Sequence, residues 1–296
     1  MADHLAELKA GELALTVGDN AARGKHRSGY NGAWALTSAY RDRSPFVPLY
    51  AGLNLEHIMD GRDLQSAGRV FEPRAAPMQL RDVSETGAEL YQPPTPDTKV
   101  ESWTTFSLVD PHYVDMTFRF RATEDVLPYD YLGFFWASYI DAPEDKTIHF
   151  IGNVREALVE RMWPSWADES WLEFRPAFQN DRATTCWAGE EPHLPHDEET
   201  RPILYTSFSH LAYTQPFYYG ICRGMCLQYM FEPESGIRFT NGVTGAGEHN
   251  PAWDFQWFVR NVEIGREYEM RMRAMYKPFV NRDDCRAEYE AWANTR

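Results

Sequence analysis

Glu56 and His57 stand side by side in a glycine-bounded segment, Ala51-Gly-Leu-Asn-Leu-Glu-His-Ile-Met-Asp-Gly61, that mixes apolar anchors with Asn54 and Asp60. An adjacent carboxylate and imidazole can shuttle a proton or bind a metal ion. Arg74 follows within the same loop-and-turn stretch and offers a cation for an anion or a developing oxyanion. Further candidates lie on strand-like segments. His149 sits mid-strand in Ile148-His-Phe-Ile151, and His210 ends Ser207-Phe-Ser-His210, where a sheet rim is expected. Glu101, Trp103 and Arg119 fall on the polar faces of two alternating segments, and Trp136 and Tyr139 close a long apolar run. We expect a cleft that gathers the 52–62 loop with these strands. His57, His149, His210 and Glu101 are its candidate acid, base or catalytic groups. Asn54, Arg74, Trp103, Arg119, Trp136 and Tyr139 are its candidate substrate contacts. Nothing in the sequence requires a cofactor. Were a divalent metal bound, Glu56, His57, His149 and His210 would be the ligands, and the histidines would then serve as ligands and not as bases.

The elements that must position these groups are strands. In Tyr113-Val-Asp-Met-Thr-Phe-Arg-Phe-Arg121, Val114, Met116, Phe118 and Phe120 point one way and Asp115, Thr117, Arg119 and Arg121 the other. Such a period of two marks a strand with one face buried and one wet. The segment 101–109 alternates likewise and places Glu101 and Trp103 on one face. Residues 131–140 form a near-continuous apolar run, as in a central strand buried on both faces. Further strands are expected at 12–17, 33–39, 146–151, 203–210, 217–222, 225–231, 236–241, 252–260 and 267–276, with short ones near 70, 78–83 and 88–92. Residues 3–8 fit one helical turn, 154–162 a short helix stopped by Pro164, and 282–294 a closing helix. Residues 165–202 show no period and read as a long functional loop or lid. Some fourteen or more strands with little helix predict a mainly β chain: one antiparallel β-sandwich over residues 1–296, with a short mid-chain helix and a C-terminal helix.

Composition narrows the partners. The formal net charge of −15 repels nucleic-acid backbones and disfavours anionic membranes, so a neutral or cationic small molecule, or an oligosaccharide, is the expected partner. No apolar run reaches the length of a membrane span, and the N-terminus lacks a signal pattern, which leaves a cytoplasmic protein as the expectation. The spacing of Cys186, Cys222, Cys226 and Cys285 supports neither a zinc ribbon nor an easy disulfide, and all four read as reduced thiols. Walker A, Rossmann, G-x-S-x-G and H-E-x-x-H patterns are absent. Gly242-Val-Thr-Gly-Ala-Gly247 is a loop, His112 belongs to a turn, and His193 and His196 to a solvated acidic tract.

A wide antiparallel sheet whose polar face carries aromatics and charges suits a sugar. The Gly/Asn-rich opening Tyr30-Asn-Gly32, the long alternating sheet with Glu101 and Arg119, the rim histidines and the final hairpin (Trp253-Asp-Phe-Gln-Trp257 into Glu267-Tyr-Glu-Met270) together resemble galactose-mutarotase-like β-supersandwich proteins. That resemblance implies a supersandwich fold with histidines and carboxylates on a concave face, in a superfamily of sugar epimerases, polysaccharide lyases and glycosidase domains. The expected function is therefore a carbohydrate-active enzyme, a lyase, glycosidase or epimerase working through histidine and carboxylate. The alternative is a non-catalytic sugar-binding sandwich, which needs aromatics and hydrogen bonds but no titrating pair.

Overall fold

Residues that alternate in type also alternate in burial: from Tyr113 to Ala122 every second side chain is buried and its neighbours are half-exposed. The computed structural model describes residues 4–63, 71–155, 168–178, 182–198, 207–233, 236–243 and 249–295. In chain order the elements begin with β1 (Leu5–Ala10), β2 (Leu13–Gly18), β3 (Gly32–Ser38) and β4 (Asn54–Met59). A four-residue helix α1 (Glu72–Ala75) precedes β5 (Gln79–Arg81), β6 (Gly87–Gln92), β7 (Val100–Val109), β8 (Tyr113–Ala122) and β9 (Tyr131–Ala137). Then come β10 (Ile148–Val154), β11 (Ser170–Phe174), β12 (Thr184–Trp187), β13 (Phe208–Tyr213), β14 (Phe217–Cys222) and β15 (Met225–Phe231). β16 (Ile237–Val243), β17 (Pro251–Arg260), β18 (Glu267–Pro278) and the helix α2 (Arg282–Ala293) complete the chain.

β1, β2 and β3 form a small sheet of their own. The rest build one large sheet in the order β4-β9-β17-β16-β12-β13-β10-β14-β15-β18-β8-β7-β6-β5, with β11 paired to β10. Only the β12–β13 pair among these is parallel. The sheet doubles back on itself. Phe118 of β8 meets Trp136 of β9 edge-on at 4.9 Å between ring centroids, and Phe120 lies 4.6 Å from Phe134, although β8 and β9 stand near opposite ends of the strand order. One face of most strands therefore looks into a shared core of Phe106, Met116, Phe118, Phe120, Phe134, Trp136, Phe255 and Trp257, which the small sheet extends with Leu8, Leu15 and Val17. Removing these large side chains from water is the main stabilising term. The opposite faces look outward, and on one stretch α2 covers them through Cys285, Tyr289 and Trp292.

This is the mainly β, largely antiparallel sandwich that the alternation predicts, and α2 falls where expected. Some local expectations are corrected. Residues 5–8 belong to β1 and not to a helical turn, because Ala6 and Leu8 alternate into the core. Two strands, β11 and β12, cross the stretch read as loop. Val154 closes β10, and the remainder of the expected mid-chain helix lies outside the described residues, apart from Arg155. The four cysteines are free and buried. No helix among the described residues is long and apolar enough to cross a membrane.

Candidate functional site

Consecutive residues of a regular strand point to opposite faces, which would separate Glu56 from His57. Here Leu55 pairs with Trp136 and His57 with Phe135, so the ladder shifts and Glu56 is the extra residue of a β-bulge in β4. The bulge brings the two side chains together, with His57 Nε2 3.2 Å from Glu56 Oε1. Just before it, Leu53 adopts a left-handed backbone with φ of 48°, a strained state for a branched residue. Its N–H donates to Ser138 Oγ at 3.0 Å, which holds the entry to β4 against the end of β9.

Arg74 arrives from α1 and binds three groups at once. Its Nε donates to Asn54 Oδ1 at 2.7 Å, and its Nη2 to Glu56 Oε2 at 2.7 Å and to Tyr139 Oη at 3.0 Å. Tyr139 in turn donates to Glu56 Oε2 at 2.8 Å. A four-residue helix cannot hold such a geometry alone, and a chain of amides does so. Asn20 Nδ2 donates to the carbonyls of Pro73 and Ala76, at 2.8 and 2.9 Å, which cap the helix. Asn31 donates to Asn20 Oδ1 and engages both the N–H and the C=O of Leu55, standing in for a neighbouring strand beside the bulge. Asn54 Nδ2 donates to the Asn31 carbonyl at 3.0 Å. Gly32 follows with φ of 97°, and a Cβ there would fall 2.4 Å from the Leu53 carbonyl oxygen, so only glycine lets the loop press this close. Glu72 ties α1 from the other side, accepting from the N–H groups of Asp97 and Thr98 and from the Thr98 hydroxyl.

The electrostatics are sharply divided. Burial pushes the Glu56 carboxyl up, but Arg74 above all, with His57 and Tyr139, outweighs it and holds the group down at about 2. Burial and the Glu56 charge together push the Tyr139 phenol up, so it stays protonated and donates. Burial opposes the charge on Arg74, and Glu56 restores it, leaving the guanidinium firmly charged. Aromatic rings wall the cluster. The guanidinium lies 4.2 Å from the Tyr30 ring and 5.0 Å from Phe71, within cation–π range. Tyr50 packs on Tyr30 and on Tyr139, and Arg27 donates to its hydroxyl at 2.9 Å. His57 stacks on Phe71, whose ring is 44% exposed, and meets Phe135 edge-on. The result is a fixed carboxylate, an oriented imidazole, a buried cation and half-exposed tyrosines at one place, a set able to bind a polar ring and move its protons.

Asn54, Glu56, His57, Arg74 and Tyr139 thus converge as the sequence suggests. The other candidates do not join them. Glu101, Trp103 and Arg119 lie on the outward face of β7 and β8, whose inward faces pack on the inward face of β9, while His57 lies on the outward face of β9; the whole core separates the two groups. Trp136 is fully buried, stacked on Phe255 at 5.0 Å, and serves the core instead of a ligand. His149 stacks on Tyr219 beside Asp145, under the α2 end of the molecule. His210 is exposed on β13, five strand steps from β4 in the sheet order, about 24 Å along its surface. The four expected metal ligands are accordingly dispersed over β4, β10 and β13. Among the described residues no three His, Cys, Asp or Glu side chains are grouped as a metal centre. Tyr30, Tyr50, Asn20 and Asn31 were not among the candidates. The signal for Asn20, Tyr30 and Asn31 was the Gly/Asn-rich spacing of the loops 18–24 and 25–32, which marked turns without saying what those turns hold; Tyr50 lay outside both loops and carried no such signal.

No protein family model matches the sequence, and no curated protein matches it. Solved structures do. A galactose mutarotase related enzyme from Lactobacillus acidophilus superposes with a TM-score of 0.57 at 9% identity, over 94% of this chain and 98% of the other. A putative aldose 1-epimerase from Escherichia coli K12 gives 0.54 at 10% identity, over 93% and 99%. An α-N-acetylgalactosaminidase from Bifidobacterium bifidum gives 0.56 at 9% identity, with 98% of this chain lying on 39% of that one. At such identities the likeness is one of fold: the chain has the galactose-mutarotase-like β-sandwich architecture that its alternating strands and final hairpin resemble.

Proposed function

We propose that this chain is a carbohydrate-active enzyme that binds a sugar ring against Tyr30, Tyr50 and Arg74 and moves protons at its anomeric centre, as a 1-epimerase does. The observation that carries the reading is the Glu56–His57–Arg74–Tyr139 constellation, set on a fold shared along nearly its whole length with a putative aldose 1-epimerase. Anomer interconversion needs a base for the anomeric hydroxyl, an acid for the ring oxygen and polar groups that fix the ring. His57 is the base, and the Glu56 carboxylate at 3.2 Å sets its orientation and offsets the charge it gains. Arg74, itself held by Asn54, fixes Glu56 and supplies positive potential for the oxygen that becomes negative as the ring opens. The half-exposed tyrosines present the apolar faces on which pyranose rings stack.

Saturation-transfer NMR reads anomer exchange directly for a panel of aldoses. We expect faster exchange with the protein present, and a fall of roughly a hundredfold or more in His57→Ala, the usual scale for a lost general base. Saturable sugar binding with no acceleration of exchange for any sugar would assign the site to a binding protein instead, and cleavage of aryl glycosides would make it a glycosidase.

A further inference from the structure

Asp254 is a buried acid on β17 that the reading above leaves unused. It interrupts the run Trp253, Phe255, Trp257, whose rings fill the core, so its side chain projects from the opposite face of the strand. Phe135 and Ala137 of the neighbouring β9, and Tyr139 just beyond its end, line that same side, and His57 packs on Phe135 there. The carboxyl is 1% exposed. Oδ1 accepts the Ser138 N–H at 2.8 Å, and Oδ2 has no hydrogen-bond partner among the described residues. Ser138 and Tyr139 are consecutive, so one dipeptide links the two acids: the Ser138 N–H holds Asp254, and the Tyr139 hydroxyl holds Glu56. Two residues along β17, Gln256 is fully buried. Its Nε2 donates to Thr240 Oγ1 at 3.0 Å, while its Oε1 is without a partner among the described residues. A buried polar atom left unpaired, as Gln256 Oε1 is, is costly unless something else binds it, and it lies on the same face as the Asp254 carboxyl, next to the cluster.

The groups that act on Asp254 are few. Burial pushes its carboxyl well above the usual range; the Ser138 N–H opposes this, the Glu56 charge adds to it, and Arg74 opposes it. Tyr218 and Tyr229 reach in from the core side, donating to the Asp254 carbonyl and to Ser138 Oγ, and both stay protonated. Two acids with environments that drive them apart are the pattern of an assigned acid and base.

We infer that Asp254 is the proton donor of this site, delivering a proton to the ring oxygen of the sugar whose anomeric hydroxyl faces His57. The inference rests on the reading of the site as a sugar epimerase. His57 takes the proton of O1–H, the freed electron pair forms C1=O1, the C1–O5 bond breaks, and O5 takes the proton of Asp254. After rotation about C1–C2 the steps reverse: O5 attacks C1, returns its proton to Asp254, and O1 recovers the proton from His57. No oxidant, metal or co-reactant enters the balance.

The test is Asp254→Asn, which keeps an oxygen for the Ser138 N–H, with circular dichroism as the control for folding. The infrared difference spectrum of wild type minus variant at pH 7 reads the protonation state without reference to any activity. We expect the carbonyl stretch of a protonated carboxyl in that spectrum. With D-galactose and D-glucose as substrates, we expect turnover to drop by roughly a hundredfold with KM little changed, and the fall in wild-type activity at alkaline pH to vanish from what remains. An active wild type without the infrared band, or a variant with wild-type turnover and an intact alkaline limb, overturns the donor role and leaves the epimerase reading standing. A wild type that shows the band yet accelerates anomer exchange of neither sugar overturns both.

Discussion

The molecule carries two faces rich in acids, cations and aromatics, and they differ in one respect: how deeply the charges are held. On the outward face of β6, β7 and β8, Glu101 accepts from Tyr91 and pairs with Arg121, while Arg119 lies 3.6 Å from Glu89 and 5.3 Å from the Trp103 ring. These side chains form a cross-strand ladder with solvent on one side, and Arg119 is 36% exposed. Around β4, Glu56 and Arg74 are 10% and 8% exposed, every contact is directional, and loops from three parts of the chain fix the geometry. Residue types alone do not separate the two regions. Withdrawal from water does, because it strengthens each electrostatic interaction and moves titrations far from their usual range.

Breaking the buried face should cost most. Arg74→Ala leaves the Glu56 charge uncompensated in the interior. A loss of roughly 3–5 kcal/mol of folding stability in chemical denaturation is expected, together with loss of turnover; a change below about 1 kcal/mol would place the pair in the same class as the exposed ladder. The titration of Glu56 comes next. Its folded value of about 2 lies below the ordinary 4.5, so its contribution is present above pH 4.5 and is lost as pH falls toward 2. That amounts to roughly 3 kcal/mol, visible as a decline in melting temperature over this window that Glu56→Gln lacks. Asp254 has the opposite sign. Its raised value means that wild type falls behind Asp254→Asn in stability as pH climbs above the normal aspartate range, so melting curves of the two should diverge toward neutral pH. The smallest effect is expected on the ladder: Arg119→Ala should cost less than about 1 kcal/mol, diminish further in high salt, and leave turnover unchanged. A large loss of turnover in that variant would move the site across the sandwich and refute the assignment made here.

Particular residues show where reading the chain sufficed. The alternation of Val114, Met116, Phe118 and Phe120 named both the strand and its buried face, and the same held for β18, because a period of two is local and burial follows it directly. Asn54, Glu56, His57 and Arg74 were legible as a group because they are close in sequence, and the fold keeps them close. His149, His210 and Glu101 were grouped with them on residue type and expected strand face or rim position, which do not say which part of the sheet a strand occupies, and Trp136 was read as a ligand surface although its ring stacks in the core.

What the chain determined by itself was thus its long alternating strands, though not β1, β11 or β12, with their wet and dry faces and the mainly β sandwich they build, since each depends on neighbours a few residues away. The tertiary structure decided which wet face lies across the core from which, because that depends on how a sheet of fifteen strands doubles back. It also decided that Glu56 and His57 touch, since the bulge that turns them to one side comes from the pairing of β4 with β9 and leaves no mark in the periodicity. And it decided the character of Asp254: an aspartate amid tryptophans and phenylalanine reads as any polar interruption of a strand, until packing removes its water and sets it beside a carboxylate that Arg74 already holds ionised.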